Sequence, residues 1–342
     1  HNLAAQKAFG VRTFQAEDEI AAICAAIGAA WGNRLAITAT SGPGLALKSE
    51  AIGLAVMTEL PLVIINVQRG GPSTGLPTKT EQADLLQALW GRNGECPVAI
   101  VAPKSPADSF AAAFEACQVA MKYMLPVMVL SDGAIANGAE PWRVPEFDEL
   151  PAFTIHDRDE AKDGEAFLPY ARDATTLARA WPVLGTAGLE HRLGGIEKWD
   201  GTGHISYDPD NHHHMVTLRQ KRLDGVAADL APCELVGDAS GDVLVVSWGS
   251  TWGASLTAVR RLQKVGKRVS HLQLRWLNPM PRDVGEILAR FNTILVPELN
   301  LGQLYKVLRT RFDFHGRSLT KVAGVPLRID ELEAAIIDAL AS

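Results

Sequence analysis

The strongest constraint on the fold is a pair of apolar runs, each of which ends in a cluster of small, turn-forming residues. Residues 36–44 read AITATSGPG, and residues 61–80 read PLVIINVQRGGPSTGLPTKT. A continuous apolar run bounded by turn signals is typical of a strand that is buried on both faces, as in a parallel sheet. The two runs therefore predict neighbouring parallel strands. The clusters that follow them should lie at the carboxyl edge of the sheet, where open α/β sheets bind ligands.

The alternation of strands and helices extends beyond these two runs and predicts the domain organisation. The pattern stops near residue 141, in a stretch rich in Pro, Gly, Asp and His, and it resumes near residue 236. Such alternation is typical of βαβ units. We therefore expect an α/β fold of two doubly wound parallel-sheet domains, residues 1–140 and 236–342, joined by an irregular connector over 141–235 that wraps a partner. The predicted strands are 11–14, 35–40, 62–67, 98–102, 126–131, 242–247, 268–274, 293–297 and 319–322; the predicted helices are 17–31, 45–58, 81–90, 106–123, 254–264, 282–290, 301–310 and 329–340.

Composition excludes several classes of function. The chain of 342 residues has a net charge of −6, with no long basic run that would indicate a nucleic-acid partner. No apolar stretch reaches the ~18 residues that a membrane span needs. The cysteines form no short-spaced pair, which argues against a zinc site, an iron–sulfur cluster within this chain and a disulfide framework; we expect a reducing cytoplasm. The four cysteines are Cys24, Cys96, Cys117 and Cys233.

Arg69 is the first candidate for a functional side chain. It is the only long charged residue between Val67 and Pro77. An arginine among glycines at a sheet edge has room for a two-pronged pair with an anion. The alternative is an ordinary surface arginine that follows a strand.

Glu19 is the second candidate. Three acidic residues, Glu17, Asp18 and Glu19, open the first predicted helix, and acids in a first turn also stabilise the helix dipole. Glu19 shares a helix face with Ile23 and Ile27, so its carboxylate is the one that the helical period aims at the interior. A buried carboxyl group is suited to exchange a proton with a ligand nitrogen.

Taken together, these motifs resemble a known family. The run EDEIAA at residues 17–22, the loop TSGPG at 40–44 and the block QRGGPSTGLPTKTEQ at 68–82 closely resemble the α subunit of 2-oxoacid:ferredoxin oxidoreductases, especially the 2-oxoglutarate type. Weaker similarity continues through SDG at 131–133 and YDPDNH at 207–212 to ELNLGQ at 298–303. One segment departs from the family, because its N-terminal strand with a YPITPSS loop is missing before His1. We therefore expect the first domain to be incomplete and the chain to be a piece of something longer.

The resemblance implies a thiamine diphosphate enzyme that decarboxylates a 2-oxo acid, passes electrons through a [4Fe–4S] cluster to ferredoxin and transfers the acyl group to coenzyme A. The implied domains are a pyrimidine-binding domain and a transketolase-C-like domain. Glu19 matches the family's glutamate that hydrogen-bonds the aminopyrimidine ring, and Arg69 matches its arginine that faces the substrate 1-carboxylate. The expected substrate-binding residues are Arg69, Gly70 and Ser41, and the expected cofactor-binding residues are Glu19, Ser41, Gly42 and Arg69.

The resemblance also implies that this chain is half of an active site. The sequence has no GDG-to-NN motif for the diphosphate and Mg²⁺ and no cysteine cluster. In the family, the β subunit contributes the diphosphate site, Mg²⁺ and the iron–sulfur cluster. We expect an obligate complex with that subunit, 2-oxoglutarate as substrate and no metal ligand in this chain.

Alternatives remain open for the function and for several motifs. The chain could be the transketolase-like subunit of a thiamine-dependent 2-oxoacid dehydrogenase, or a non-catalytic scaffold with the same fold. The run HHH at 212–214 suggests a metal site, but adjacent histidines point apart, which favours a solvated or partner-facing loop. The loop WGSTWG at 248–253 could hold an anion, although a plain turn fits better. The tryptophans of the connector fit packing or interface anchors better than stacking platforms.

Overall fold

A computed structural model describes residues 2–161 and 166–341 of the chain. Two five-stranded sheets dominate it, and a two-stranded parallel pair lies in the connector. The strands are Ala36–Thr40 (β1), Leu62–Gln68 (β2), Ala99–Val101 (β3), Pro126–Asp132 (β4), Asp157–Arg158 (β5), Trp181–Pro182 (β6), Leu235–Val236 (β7), Gly241–Trp248 (β8), Val269–Leu274 (β9), Trp276–Asn278 (β10), Phe291–Glu298 (β11) and Gly316–Thr320 (β12).

Helices connect most of these strands and cover both sheets. None of the described helices is long and apolar enough to cross a membrane. The helices are Asn2–Ala5 (α1), Glu19–Trp31 (α2), Gly42–Leu47 (α3), Ser49–Thr58 (α4), Leu85–Trp90 (α5), Asp108–Tyr123 (α6), Gly133–Asn137 (α7), Pro209–Gly225 (α8), Trp252–Lys264 (α9), Val284–Leu288 (α10), Gln303–Arg311 (α11) and Ile329–Leu340 (α12).

The first sheet has the order β1-β2-β4-β3-β10. The first four strands are parallel, and the register pairs Ala36 with Leu62 and Leu62 with Pro126. Every residue of β4 is buried, as expected for a strand covered on both faces. The fifth strand, β10, pairs antiparallel with β3 although the chain reaches it after the second sheet has begun.

The second sheet has the order β12-β11-β8-β9-β7, with β7 antiparallel at its edge. The predicted fold class of two doubly wound α/β units is therefore confirmed, with one antiparallel strand added to each sheet. The two units share a core, since one cluster of buried side chains includes Ile64 and Met128 from the first sheet and Leu244 and Trp248 from the second. Burying each such side chain contributes about 1.5–3 kcal/mol.

The segment between β4 and β7 is less irregular than its sequence predicts. It contains the 17-residue helix α8, which begins after Asp208 with Pro209 in its first turn. The three histidines were expected in a solvated or partner-facing loop. The prediction of a loop is wrong, because they lie in the first turns of this helix, although all three are exposed. His212 contacts Glu197 and His214 contacts Asp200. Among the described residues, no group of three or more metal-binding side chains is arranged to hold an ion.

The connector is anchored to the first unit by a buried ion cluster. Glu59, at the end of α4, is completely buried and accepts hydrogen bonds from Arg172 and Arg222. Burial raises the pKa of the Glu59 carboxyl, but the charges of Arg222 and Arg172 outweigh this effect and lower the pKa to about 2. Trp181 adds a second anchor, since it is buried and its indole Nε1 donates to the carbonyl of Ala30 at 2.9 Å. By contrast, the side chains of Trp142 and Trp199 are exposed.

Several predicted elements differ from the structure. The last strand lies at Gly316–Thr320 rather than 319–322, and the helix predicted over 81–90 begins at Leu85. Residues 11–14 form no strand; no neighbouring strand of the described chain lies beside them to complete a ladder, and Phe14 is exposed. The helix predicted over 45–58 is divided into α3 and α4 at Lys48.

Candidate active site

The candidate site lies at the carboxyl edge of the first sheet, where β1, β2 and β4 end. Ser41 and Gly42 follow β1, Arg69 and Gly70 follow β2, and α2 begins at Glu19. Because β1 and β2 are parallel neighbours, with Thr40 opposite Asn66, the segments after them leave the sheet at the same edge. The structure therefore brings together the loops that the sequence analysis selected.

Capping of α2 separates the roles of its acidic residues. Asp18 is the N-cap, and its Oδ1 accepts from the backbone N–H of Ala21 at 2.7 Å. Glu19 is half-buried, whereas Glu17 and Asp18 are exposed. The carboxylate of Glu19 has no hydrogen-bond partner among the described residues. Glu19 is thus available to a ligand, while Asp18 stabilises the helix.

Gly44 supports the side chain of Glu19. A Cβ at Gly44 would lie 2.6 Å from Cγ of Glu19 and 2.0 Å from Oγ1 of Thr40. No side chain can occupy that space without displacing one of the two. The glycine in the TSGPG loop therefore permits close approach of α3 to the first turn of α2.

Gly42 makes a similar approach to a second carboxyl group. A Cβ at Gly42 would lie 2.7 Å from Oδ1 of Asp84. Asp84 is buried and accepts from the amide of Asn66 at 2.9 Å, and burial raises the pKa of its carboxyl. Ser41 is the N-cap of α3, but its hydroxyl caps no backbone N–H of that helix. Asp84 thus forms the floor beneath the Ser41–Gly42 loop.

Arg69 has a guanidinium without an acceptor. It is half-buried; its Nε is buried without a hydrogen-bond partner, and no ion pair forms with a carboxylate of the described residues. A buried arginine donor that lacks a partner is costly, so an anionic ligand at this position would be stabilised. This feature favours the anion-binding interpretation of Arg69 over that of an ordinary surface residue.

The loop after Arg69 is closed by backbone hydrogen bonds. The N–H of Gly70 donates to the carbonyl of Lys79 at 3.0 Å, and the N–H of Leu76 donates to the carbonyl of Gly70 at 2.8 Å. A Cβ at Gly75 would lie 2.0 Å from the carbonyl oxygen of Gly70, so only glycine fits there. Residues 71–79 are exposed. The closed loop fixes the point at which Arg69 leaves the sheet.

Lys48 and Asp84 lie against the candidate residues Glu19 and Gly42 but were not found in the sequence analysis. Lys48 is completely buried, and its Nζ donates to the backbone carbonyl of Glu19 at 2.7 Å and to Oγ1 of Thr38 at 3.2 Å. Burial lowers the pKa of Lys48. One signal for it is present in the sequence, since Lys48 is the single basic residue of the helix predicted over 45–58. Asp84 falls within the helix predicted over 81–90, and that prediction does not indicate its burial.

The main pockets of the described residues lie away from the candidate residues. A cavity of about 590 Å³ lies between α6 and residues 229–234. Its lining includes Lys104, Arg275 and Trp276 but none of the candidate site residues. A site that a second chain completes need not be concave in one chain alone.

Comparison with family models matches both units of the chain. Residues 1–205 match the model described as pyruvate flavodoxin/ferredoxin oxidoreductase, thiamine diphosphate-binding. Residues 241–326 match the model described as pyruvate:ferredoxin oxidoreductase core domain II. The first match includes all of the candidate site residues.

Curated relatives agree with these models. The 2-oxoglutarate oxidoreductase subunit KorA of Mycobacterium tuberculosis (strain ATCC 25618 / H37Rv) is 56% identical over 342 residues, which is 100% of this chain and 52% of that protein. The 2-oxoglutarate synthase subunit KorA of Methanocaldococcus jannaschii is 34% identical over 325 residues, covering 94% of this chain and 86% of that protein. The chain thus spans about half the length of the mycobacterial relative.

A solved structure has the same fold over nearly the whole chain. It is described as 2-oxoglutarate:ferredoxin oxidoreductase from Magnetococcus marinus with 2-oxoglutarate, coenzyme A and succinyl-CoA bound. The TM-score is 0.91 at 33% identity, and the match covers 98% of this chain and 59% of that one. A split-gene transketolase in an inactive tetramer, at 15% identity and a TM-score of 0.57, shares the fold alone.

Proposed function

The chain belongs to the family of 2-oxoacid:ferredoxin oxidoreductase α subunits, and from that membership we propose that it forms the pyrimidine-binding half of an active site that oxidatively decarboxylates 2-oxoglutarate. The products are succinyl-CoA and CO₂, and the electrons pass to ferredoxin. Similarity to 2-oxoglutarate-type relatives over the whole chain supports this substrate over other 2-oxo acids.

One observation supports the proposal most directly: the two groups expected to act on ligands have no partner within the chain. Neither the carboxylate of Glu19 nor the Nε of Arg69 has a hydrogen-bond partner among the described residues. Both lie at the carboxyl edge of the first sheet. An acid and a cation that are left free at a ligand-binding edge fit a site that binds a nitrogen heterocycle and a carboxylate.

The residues present fit thiamine diphosphate. Glu19, in the space that Gly44 leaves open, would hold the aminopyrimidine ring and exchange a proton with its ring nitrogen. Ser41 and Gly42 would contribute a hydroxyl and an uncovered backbone beside that ring. The cofactor itself supplies the nucleophilic carbon and the electron sink for decarboxylation.

Arg69 and Gly70 would orient the substrate. We propose that the planar guanidinium of Arg69 forms a two-pronged pair with the 1-carboxylate of the 2-oxo acid. Gly70 and Ser41 would flank that carboxylate. The resulting electrostatic stabilisation keeps the substrate in one orientation while the carboxylate is lost as CO₂.

The other half of the site would come from a β subunit. We propose that this partner holds the diphosphate, Mg²⁺ and a [4Fe–4S] cluster, and that the complex works in the cytoplasm with ferredoxin as acceptor. The four cysteines of this chain, which are all free thiols, support a reducing compartment. We propose the functional division 1–140, 141–235 and 236–342, in which the exposed Trp142 and Trp199 of the connector would contact a partner.

Substitution of Glu19 by glutamine in the assembled complex tests the proposal. Glu19→Gln keeps the shape but removes the exchangeable proton, so we expect turnover of 2-oxoglutarate to fall about 10²–10⁴-fold. Glu17→Gln is the matched control, because Glu17 is exposed two residues earlier and should leave turnover unchanged.

Two results would count against the proposal. Near-parental turnover of Glu19→Gln would indicate a scaffold subunit that retains the fold without acting on the cofactor. A purified complex that contains no iron and requires a lipoyl-domain partner would indicate a 2-oxoacid dehydrogenase instead. Iron analysis and visible absorption of the intact complex separate these outcomes.

A further inference from the structure

Lys48 occupies an unusual position beside the candidate site. It lies between α3 and α4; its backbone N–H donates to the carbonyl of Gly44 at 3.0 Å, and its carbonyl accepts from Ile52 at 3.0 Å. Its side chain is completely buried. A lysine is almost never fully buried unless its ammonium group is bound by specific partners.

The partners of this ammonium group are neutral. Its Nζ donates to the backbone carbonyl of Glu19 at 2.7 Å and to the hydroxyl of Thr38 at 3.2 Å. No carboxylate of the described residues forms a salt bridge with it. Burial lowers the pKa of Lys48, and attraction by Glu19, Asp18 and Cys24 opposes that effect.

Such an arrangement lowers the stability of the fold, so stability alone does not explain it. A buried cation without an ion partner costs desolvation energy, and an apolar side chain of similar volume, such as methionine, would fill the space without that cost. The interaction gained in return is specific. It joins the first residue of α2 to β1 and to the junction of α3 and α4.

These three elements surround Glu19. Lys48 donates to the carbonyl of Glu19, and Gly44, four residues before Lys48, lies against the side chain of Glu19. We propose that Lys48 is a positioning residue that fixes the backbone of Glu19, so that the carboxylate is presented to the aminopyrimidine ring of the cofactor. This inference rests on the proposed function.

Lys48→Met in the assembled enzyme removes the hydrogen bonds and the charge at nearly constant volume. We expect the complex to form and to bind thiamine diphosphate with near-parental affinity, measured by fluorescence titration. Exchange of the cofactor's C2 proton for deuterium, followed by NMR after acid quenching, should slow about 10–100-fold, because a displacement of ~1 Å at a reacting group costs about that much. Thr38→Val is the control, since it removes one acceptor but leaves the Glu19 bond, and should exchange at nearly the parental rate.

A double-mutant cycle shows whether Lys48 acts through Glu19. If it does, Lys48→Met combined with Glu19→Gln exchanges no more slowly than Glu19→Gln alone. Multiplied effects, or parental exchange in Lys48→Met, would overturn the inference. If Lys48→Met does not assemble, Lys48→Leu, which also removes the donor and the charge, replaces it in the same cycle.

The cycle also separates the two proposals. Parental exchange in Glu19→Gln would refute the proposed function, and the inference on Lys48 with it. Slow exchange in Glu19→Gln together with parental exchange in Lys48→Met would refute the role of Lys48 alone.

Discussion

Gly44→Ala should impair the reaction by displacing Glu19. The added Cβ would lie 2.6 Å from Cγ of Glu19 and 2.0 Å from Oγ1 of Thr40. Carbon atoms in contact prefer about 3.5–4.0 Å, so the side chain of Glu19 must move by roughly 1 Å. A displacement of that size at a group that exchanges a proton costs about 10²-fold in rate.

Stability and activity must be measured together for this variant. Overpacking of this kind destabilises folded proteins by about 1–3 kcal/mol. We therefore expect a modest loss in urea unfolding of the chain and a much larger loss in turnover of the assembled complex. The affinity for the 2-oxo acid should change little, because Arg69 is not among the nearest neighbours of the new Cβ.

Gly53→Ala provides the matched control. Gly53 lies inside α4, and a Cβ there would meet nothing within 4 Å. The same chemical change should raise helix stability by up to about 1 kcal/mol and leave turnover unchanged. If Gly44→Ala and Gly53→Ala had equal turnover, the contact between Gly44 and Glu19 would have no bearing on the reaction.

Three other substitutions test separate parts of the structure. Arg69→Lys should lower kcat/KM for 2-oxoglutarate about 10–100-fold, since a point charge does not reproduce the planar fork; parental kinetics would show that Arg69 is an ordinary surface residue. Glu59→Gln should destabilise the chain by about 3–5 kcal/mol in denaturant titrations, because Arg222 would be left buried without its carboxylate. In the parent, the lowered pKa of Glu59, from 4.5 to about 2, contributes about 3 kcal/mol above pH 4.5 that is lost as the pH falls towards about 2; stability that is flat with pH in this window in the parent, or unchanged in Glu59→Gln, would contradict that account. Trp181→Ala should cost about 3–5 kcal/mol in the same titrations and leave a connector that proteases cleave faster; equal protease resistance would mean that Trp181 does not anchor the connector.

Strands buried on both faces could be predicted closely from the sequence. The strand predicted over 62–67 is Leu62–Gln68 in the structure, and the one predicted over 126–131 is Pro126–Asp132. Both are continuous apolar runs, and burial on both faces leaves no polar position to obscure their limits. The open edge of the sheet was harder to predict, since residues 11–14 have a strand-like composition but no neighbouring strand in the described chain.

Elements stabilised by buried charges could not be predicted from periodicity. Helix α8 buries Met215 and Leu218, but it also buries Arg219 and Arg222, which pair with Glu197 and Glu59. An analysis of hydrophobic periodicity counts such arginines as exposed residues. It therefore predicts an irregular segment here instead of a helix. Its start could have been recognised from an aspartate followed by proline, which is a frequent helix beginning.

The residues of the candidate site also fall into two groups, those that could be predicted from the local sequence and those that could not. Glu19 and Arg69 could be selected because each stands out within its own segment, as an acid on an apolar helix face or as the single charge in a glycine-rich loop. Lys48 and Asp84 act through residues 29 and 18 positions away in the chain, Glu19 and Asn66. Contacts of that kind depend on the packing of helices on the sheet, which a single sequence does not specify.

The second sheet also determines the position of the Arg69 loop. The loop ends at Thr80, whose hydroxyl donates to Asp132 at 3.0 Å, and Asp132 in turn accepts from the N–H of Ser250 at 3.2 Å. Gln82 then exchanges backbone and side-chain hydrogen bonds with Leu299 at the end of β11. One end of the loop is thus held by β2 and the other by loops of the second sheet. The second unit therefore contributes to the site without placing a side chain in it, because it holds the far end of the segment that presents Arg69.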